Sequence, residues 1–314
     1  MDDDYAKISD YVEDYKKNRY QFPREILVEL ISSCNLSCIM CPQKNLTRSS
    51  GQMNYDLWKK IVDEVAQKST QTRIWPAFMG ESLILGDKIF PWFRYAADRG
   101  VNIHLNTNLV LLKKENVRGL LESGVKQIFI GIDASNEETY QKIRVNGSWK
   151  VLMERIEWIL SEKERLCLDL PEVVLQFISM DENKDEKNEF IDFWKKQNKN
   201  IGLKIMNRVG WGDGVQASTE MHRYSELQRL PCTWLLRNLV VFWNGDVPQC
   251  DNDWNGKVIA GNVQHASIES IWNGELKKKR DQHIKGDFLN ELCLKCVDWQ
   301  AGSATRIKLV KSDL

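Results

Sequence analysis

No charge of either sign dominates this chain: 44 Lys plus Arg stand against 44 Asp plus Glu over 314 residues. That balance removes the electrostatic footprint expected of a protein that binds nucleic acid or a membrane surface. The one basic run, Lys277-Lys278-Lys279-Arg280, reads as a solvated helix end rather than a phosphate patch. Nor does any apolar stretch approach the ~20 residues needed to cross a bilayer. The start, Met1-Asp2-Asp3-Asp4, is acidic where a secretory signal is basic, so the expected compartment is the cytoplasm. In that reducing compartment eight cysteines point to metal rather than to disulfides. The remaining composition, 42% hydrophobic and 28% charged, is ordinary for a soluble globular protein with one large domain and a small one.

What is present is a dense cysteine loop, Cys34-Asn35-Leu36-Ser37-Cys38-Ile39-Met40-Cys41. Four thiolates normally close a four-iron, four-sulfur cube; three at a CxxxCxxC spacing leave one iron without a protein ligand. An open metal position is where a ligand is activated. Zinc ordinarily uses four ligands in paired CxxC units, which this loop does not offer. The loop follows Ile26-Leu27-Val28-Glu29-Leu30-Ile31, an apolar run that reads as a buried strand. A reactive loop at the C-terminal end of a first strand fits an α/β barrel.

The loop resembles the signature of the radical S-adenosylmethionine (SAM) enzymes. The resemblance implies a 4Fe-4S cluster on Cys34, Cys38 and Cys41 whose open iron chelates SAM. One electron then cleaves SAM to methionine and a 5′-deoxyadenosyl radical, which takes a hydrogen atom from substrate. The family usually has an aromatic residue where this chain has Met40. Five further segments are similar to SAM-binding segments of the family. Gly80 and Glu81 match a Gly-Gly-Glu-Pro motif for the amino group of SAM, while Met79 and Ser82 depart from it. Asn106 or Asn108 lies where ribose contacts are expected, although Asn108 equally suits a plain turn. Asp133 matches a Ser-Ile-Asp strand end, with Gly131 in place of the serine. Arg144 would clamp the SAM carboxylate through its planar fork, or else is a surface arginine. Ser179-Met180 resembles the segment behind the adenine.

In order, the pattern predicts an amphipathic helical extension over 1–22, with Tyr5, Ile8, Tyr11, Val12 and Tyr15 packing on the outside of the barrel. Six strands alternating with helices follow over 23–208, including a helix from the cap Asn54 to about Gln67. His104 reads as a structural histidine. This is an α/β chain with a partial (β/α)6 TIM-like barrel rather than a closed eight-stranded one. Residues 209–230 read as a linker. Residues 231–314 form a second unit and tail carrying Cys232, Cys250, Cys293 and Cys296, with a hairpin signal around Asn244-Gly245.

This second set resembles the twitch module, a shortened SPASM domain that holds one auxiliary 4Fe-4S cluster. A structural four-cysteine zinc site is the alternative, although only Cys293 and Cys296 form a CxxC pair. The whole pattern is similar to the 2-deoxy-scyllo-inosamine dehydrogenases, twitch enzymes that oxidise an aminocyclitol alcohol to a ketone. It implies two-electron oxidation of a small polar substrate, with flavodoxin or ferredoxin as reductant. Arg208, Asp251 and Asp253 stand by position as candidates for the proton-accepting group. An epimerase of a sugar or peptide residue would need a thiol to return a hydrogen atom. Only Cys167 is spare, expected to be an inert buried thiol at the opposite barrel face, and Cys250 becomes that candidate if it is not a ligand. A peptide maturase is the third reading; many carry an N-terminal leader-binding domain, and the 33 residues before Cys34 are too few for one.

Overall fold

Short β-branched runs separated by amphipathic helices produce the expected alternation. The structure is a computed structural model that describes residues 3–197, 199–222, 228–288, 291–301 and 304–310. The first two residues of the expected extension, residues 223–227 of the expected linker and the tail 311–314 lie outside the described residues. The strands are β1 (Glu25–Val28), β2 (Arg73–Trp75), β3 (Asn102–Thr107), β4 (Gln127–Gly131), β5 (Glu172–Ser179), β6 (Ile201–Asn207), β7 (Asn238–Val241), β8 (Asp246–Pro248), β9 (Ile259–Asn262) and β10 (Thr305–Leu309). The helices are α1 (Asp3–Asn18), α2 (Tyr55–Lys68), α3 (Phe90–Ala97), α4 (Val117–Leu121), α5 (Glu137–Ile143), α6 (Trp149–Arg165), α7 (Lys187–Lys196), α8 (Thr233–Arg237), α9 (Ile268–Asn273), α10 (Glu275–Ile284) and α11 (Glu291–Lys295).

The main sheet has the order β10-β6-β5-β4-β3-β2-β1-β7. Strands β1 to β6 run parallel, as helical crossovers require. The partial six-fold barrel is therefore present, extended by β7 parallel to β1 and by β10 antiparallel to β6. Outward side chains such as Ile74, Ile103, Ile128 and Leu175 bury against Trp58, Phe93 and Phe190 of the surrounding helices. The start of α2 is fixed by Asn54, whose side chain accepts from the Leu57 amide at 2.8 Å, a cap worth about 1 kcal/mol. The inward face is aromatic: Trp75 lies 5.0 Å from both His104 and Phe129. Burial, then Arg73 and Arg306, holds the His104 pKa down at about 4, which suits a neutral structural ring.

Four expectations need correction. The Asn244-Gly245 turn forms, and Phe242 N donates across it to the Asp246 carbonyl at 2.8 Å, but the arms build no ladder together: β7 joins β1, and β8 pairs with β9. The apolar β7 gains more by covering the barrel edge than by closing a two-stranded hairpin. The helix α1 does not lie on the outside of the barrel. Its Val12 and Tyr15 bury against Leu236, and Ile284 packs beside them. The basic run ends in a buried residue, because Arg280 donates to Tyr15 Oη at 2.8 Å and to the Trp272 carbonyl at 2.6 Å. Finally, Cys167 is exposed rather than buried, at φ 51° between α6 and β5.

Candidate functional site

The cysteine loop leaves β1 and is pinned to the end of α5. Ser37 N donates to the Val145 carbonyl, and Ile39 N to the Ile143 carbonyl, each at 3.0 Å. The three thiols share a small apolar cluster with Leu36, Met40, Ile143 and Met180. All three are free. Burial pushes the Cys34 thiol up to about 11 and Cys41 up to about 12. Thiolates there are disfavoured without an added positive charge, which bound iron would supply.

The neighbouring loop is built around Gly80 and Glu81. A Cβ on Gly80 would stand 1.9 Å from the Ile31 carbonyl oxygen and 2.8 Å from that of Ser33. Only glycine therefore lets this loop lie against the chain entering the cysteine loop. Glu81 N donates to the Ser33 carbonyl at 3.0 Å. Its buried carboxylate accepts from Leu83 N, Thr107 Oγ1 and Asn108 N at 2.9, 2.9 and 2.7 Å. Glu81 thus braces the ends of β2 and β3 as well as lying beside the cysteines. Asn108 is buried, donates to Asn35 Oδ1 at 2.9 Å and has its amide 3.9 Å from Cys34 Sγ. Asn106 is exposed.

Beyond β4, Asp133 sits at φ 63° and accepts from Ile178 N at 2.7 Å. Arg144 pairs with it, Nη2 to Oδ2 at 2.5 Å and Nε to Oδ2 at 2.8 Å, so it is not a surface arginine. Its Nη1 lies 3.6 Å from Cys38 Sγ. Burial opposes the Arg144 charge, but Asp133 and Cys38 more than offset this and raise its pKa. A Cβ on Gly131 would stand 2.0 Å from Arg144 Nη2, so the missing serine makes room for the guanidinium. Met180 is buried, and its amide donates to Asn183 Oδ1 at 2.8 Å.

The second cysteine set gathers from three segments, around Cys232, around Cys250 and at the Cys293–Cys296 pair. Burial, and then Cys232, Asp251, Cys293 and Cys296, raise the Cys250 thiol well above its ordinary range. His283, which sequence reasoning did not single out, is buried between two of these residues. Its Nδ1 accepts from Cys232 N at 3.4 Å, which leaves Nε2, 3.4 Å from Cys293 Sγ, to donate to that sulfur. Asn252 Nδ2 donates to Cys296 Sγ at 3.2 Å and to Asp298 at 2.9 Å. Asp298 in turn accepts from Gly210 N and Gly212 N at 2.7 and 3.1 Å. Between these glycines, Trp211 Nε1 donates to the Met40 carbonyl at 3.2 Å, so one short loop touches both cysteine sets.

A profile of the radical SAM superfamily matches residues 28–192, and a profile of the SPASM iron–sulfur cluster-binding domain matches residues 232–297. The chain belongs to the radical SAM superfamily. Membership with a SPASM domain brings SAM and two 4Fe-4S clusters, one of them auxiliary. An AdoMet-dependent heme synthase of Methanosarcina barkeri is 35% identical over 137 residues, 43% of this chain and 38% of that protein. The chain spans half or less of the length of the curated relatives it matches. The fold is that of BtrN solved with AdoMet and 2-DOIA (TM-score 0.59, 17% identity, 87% of this chain and 92% of that one). It is also that of Streptococcus suis SuiB bound to its precursor peptide SuiA (TM-score 0.68, 13% identity, 93% and 74%).

The donor sets of this radical SAM enzyme suit clusters better than single ions. Among the described residues no three His, Cys, Asp or Glu side chains converge tightly enough to hold one metal ion. A cubane instead takes one thiolate per iron and spreads its ligands. Two of the candidate proton acceptors are engaged elsewhere. Arg208 is buried in an ion pair with Glu182 at 3.0 Å. Asp253 caps its own loop, accepting from Lys257 N and Val258 N at 2.7 and 2.9 Å. Asp251 is buried beside Cys250, bound by Asn238 Nδ2 at 2.5 Å, and burial raises its pKa to about 6. Among the described residues no helix is long and apolar enough to cross a membrane.

Proposed function

We propose that Cys34, Cys38 and Cys41 hold the SAM-binding cluster, and that Cys232, Cys250, Cys293 and Cys296 hold the auxiliary one. Gly80, Asn106, Asn108, Asp133, Arg144 and Met180 then surround SAM, and Glu81 fixes the loops that carry the first three of these. Residues 23–208 serve as the catalytic barrel and 231–314 as the auxiliary module. The reaction is a two-electron dehydrogenation of a hydroxyl-bearing carbon in a sugar or aminocyclitol. When bound, the clusters supply one electron to cleave SAM, so that the 5′-deoxyadenosyl radical removes a hydrogen atom, and accept the electron left after the hydroxyl loses its proton.

The observation that supports this reading is that Cys232, Cys293 and Cys296 all lie near enough to Cys250 to raise its thiol. Four thiolates leave an electron sink without a handle for substrate. Cys167, the spare thiol, sits between α6 and β5 at the N-terminal end of the strand, away from the cysteine loop, where it cannot return a hydrogen atom. The primary electron comes from a small carrier such as flavodoxin or ferredoxin. In deuterated water the expected product forms with one SAM consumed and without deuterium at the oxidised carbon. Substrate of unchanged connectivity with one deuterium at an inverted centre would indicate epimerisation instead. A peptide substrate is the second reading, favoured by the fold shared with SuiB, whose structure holds a precursor peptide.

Arg144→Lys tests the SAM site. A lysine is a point charge and cannot reproduce both the Asp133 pairing and a fork on the SAM carboxylate. The expected result is SAM affinity weakened roughly tenfold, corresponding to one lost charged hydrogen bond. Unchanged SAM affinity with a lower melting temperature would assign Arg144 to the fold alone.

A further inference from the structure

A cleft of about 910 Å3 opens beside the proposed SAM site. It begins at Met180, which shares its apolar cluster with Cys38, and extends to Ser218, Tyr11, Arg237 and Arg306. The volume suits a ligand of sugar or nucleotide size.

Arg237 and Arg306 line it, and Lys204 lies near Arg306 outside the lining. The Lys204 ammonium lies 5.2 Å, and the Arg306 guanidinium 5.5 Å, from the centre of the same Phe129 ring. Burial first, then Arg306 and Arg237, holds the Lys204 pKa down at about 8, as expected for cations kept close together. Among the described residues none of the three forms an ion pair. The nearby carboxylates are occupied: Glu25 by Arg73 and Trp75, and Asp251 by Asn238. Lys184, Lys187 and Asp181 also line the cleft. Ser218 and Tyr11 line the cleft with their hydroxyl oxygens buried. Two lining arginines without a carboxylate partner describe a site short of an anion.

We propose that this cleft receives the substrate, and that Arg237 and Arg306, with Lys204 adding positive charge nearby, bind an oxyanion on it, a phosphate or a carboxylate. The proposal rests on the radical SAM reading above, because closeness to Met180 is what makes the cleft the substrate's. Within that reading it selects an acidic or phosphorylated sugar over a free aminocyclitol, whose ammonium these cations would repel.

Inorganic phosphate and succinate, titrated separately by calorimetry into the reconstituted SAM-loaded enzyme, provide the test. The expected result is saturable binding of at least one, weakened roughly tenfold in Arg306→Gln and in Arg237→Gln and largely restored in Arg306→Lys. Preference for phosphate identifies a phosphorylated substrate, and preference for succinate a carboxylate. Arg306 lies on the exposed edge strand β10, so its replacement spares the core. Saturable binding of neither anion, or wild-type affinity in both glutamine variants, overturns the proposal. The change in the electron paramagnetic resonance (EPR) spectrum of the wild-type enzyme on adding SAM is recorded in parallel. Its absence counts against the cluster assignment, whereas its presence without anion binding overturns the anion site alone.

Discussion

Replacing Cys34, Cys38 and Cys41 together by alanine abolishes 5′-deoxyadenosine formation under dithionite. It also lowers iron from about eight to about four per chain, because one of two cubanes is lost. The expectation follows from the separation of the two sets. The first is a single loop pinned to α5, and the second is assembled from residues 232–296 around His283 and Asn252. Losing the first therefore leaves the second assembled. Removing one thiolate leaves room for water or an added thiol to substitute, whereas removing three does not. Continued SAM cleavage by the triple variant, with its auxiliary cluster intact, would sink the assignment.

Gly80→Ala should be nearly as damaging although it removes no ligand. The new Cβ meets backbone oxygens of Ile31 and Ser33 rather than the tips of flexible side chains. Relief requires moving the loop away from the chain entering the cysteine loop, which breaks the bond from Glu81 N to the Ser33 carbonyl. We expect a loss of about 3 kcal/mol or more, at the upper end for single substitutions. Iron retention in the first cluster and SAM binding should fall with it. Wild-type melting temperature and iron content would show that the loop can yield and that Gly80 is not required. Gly131→Ala is a milder counterpart, since its neighbour is the end of the Arg144 side chain.

The cysteine spacing made the chemistry legible because ligand geometry is local in sequence. Helix starts were legible for the same reason, as the Asn54 cap shows. Contacts distant in sequence were not. Nothing in the segment around Asn244-Gly245 reveals that β7 pairs with β1, a choice made by the open barrel edge more than two hundred residues earlier. Gly131 reads as a lost hydroxyl in the strand, and only the approach of Arg144 shows why a side chain is excluded. His283 lies in a charged helix and carries no motif; its role depends on two cysteines brought to it by the fold. The exposed position of Cys167 also escaped sequence reasoning, because a cysteine in a short α–β connection gives no periodic signal of burial.

EPR of the dithionite-reduced holoenzyme, recorded with and without SAM, tests the two-cluster assignment most directly. Two cluster signals are predicted, of which one changes when SAM is added. The changing signal should be absent from the Cys34/Cys38/Cys41 triple-alanine variant, while the other persists. A SAM-sensitive signal that survives in that variant, or a single signal in the wild-type enzyme, would contradict the account.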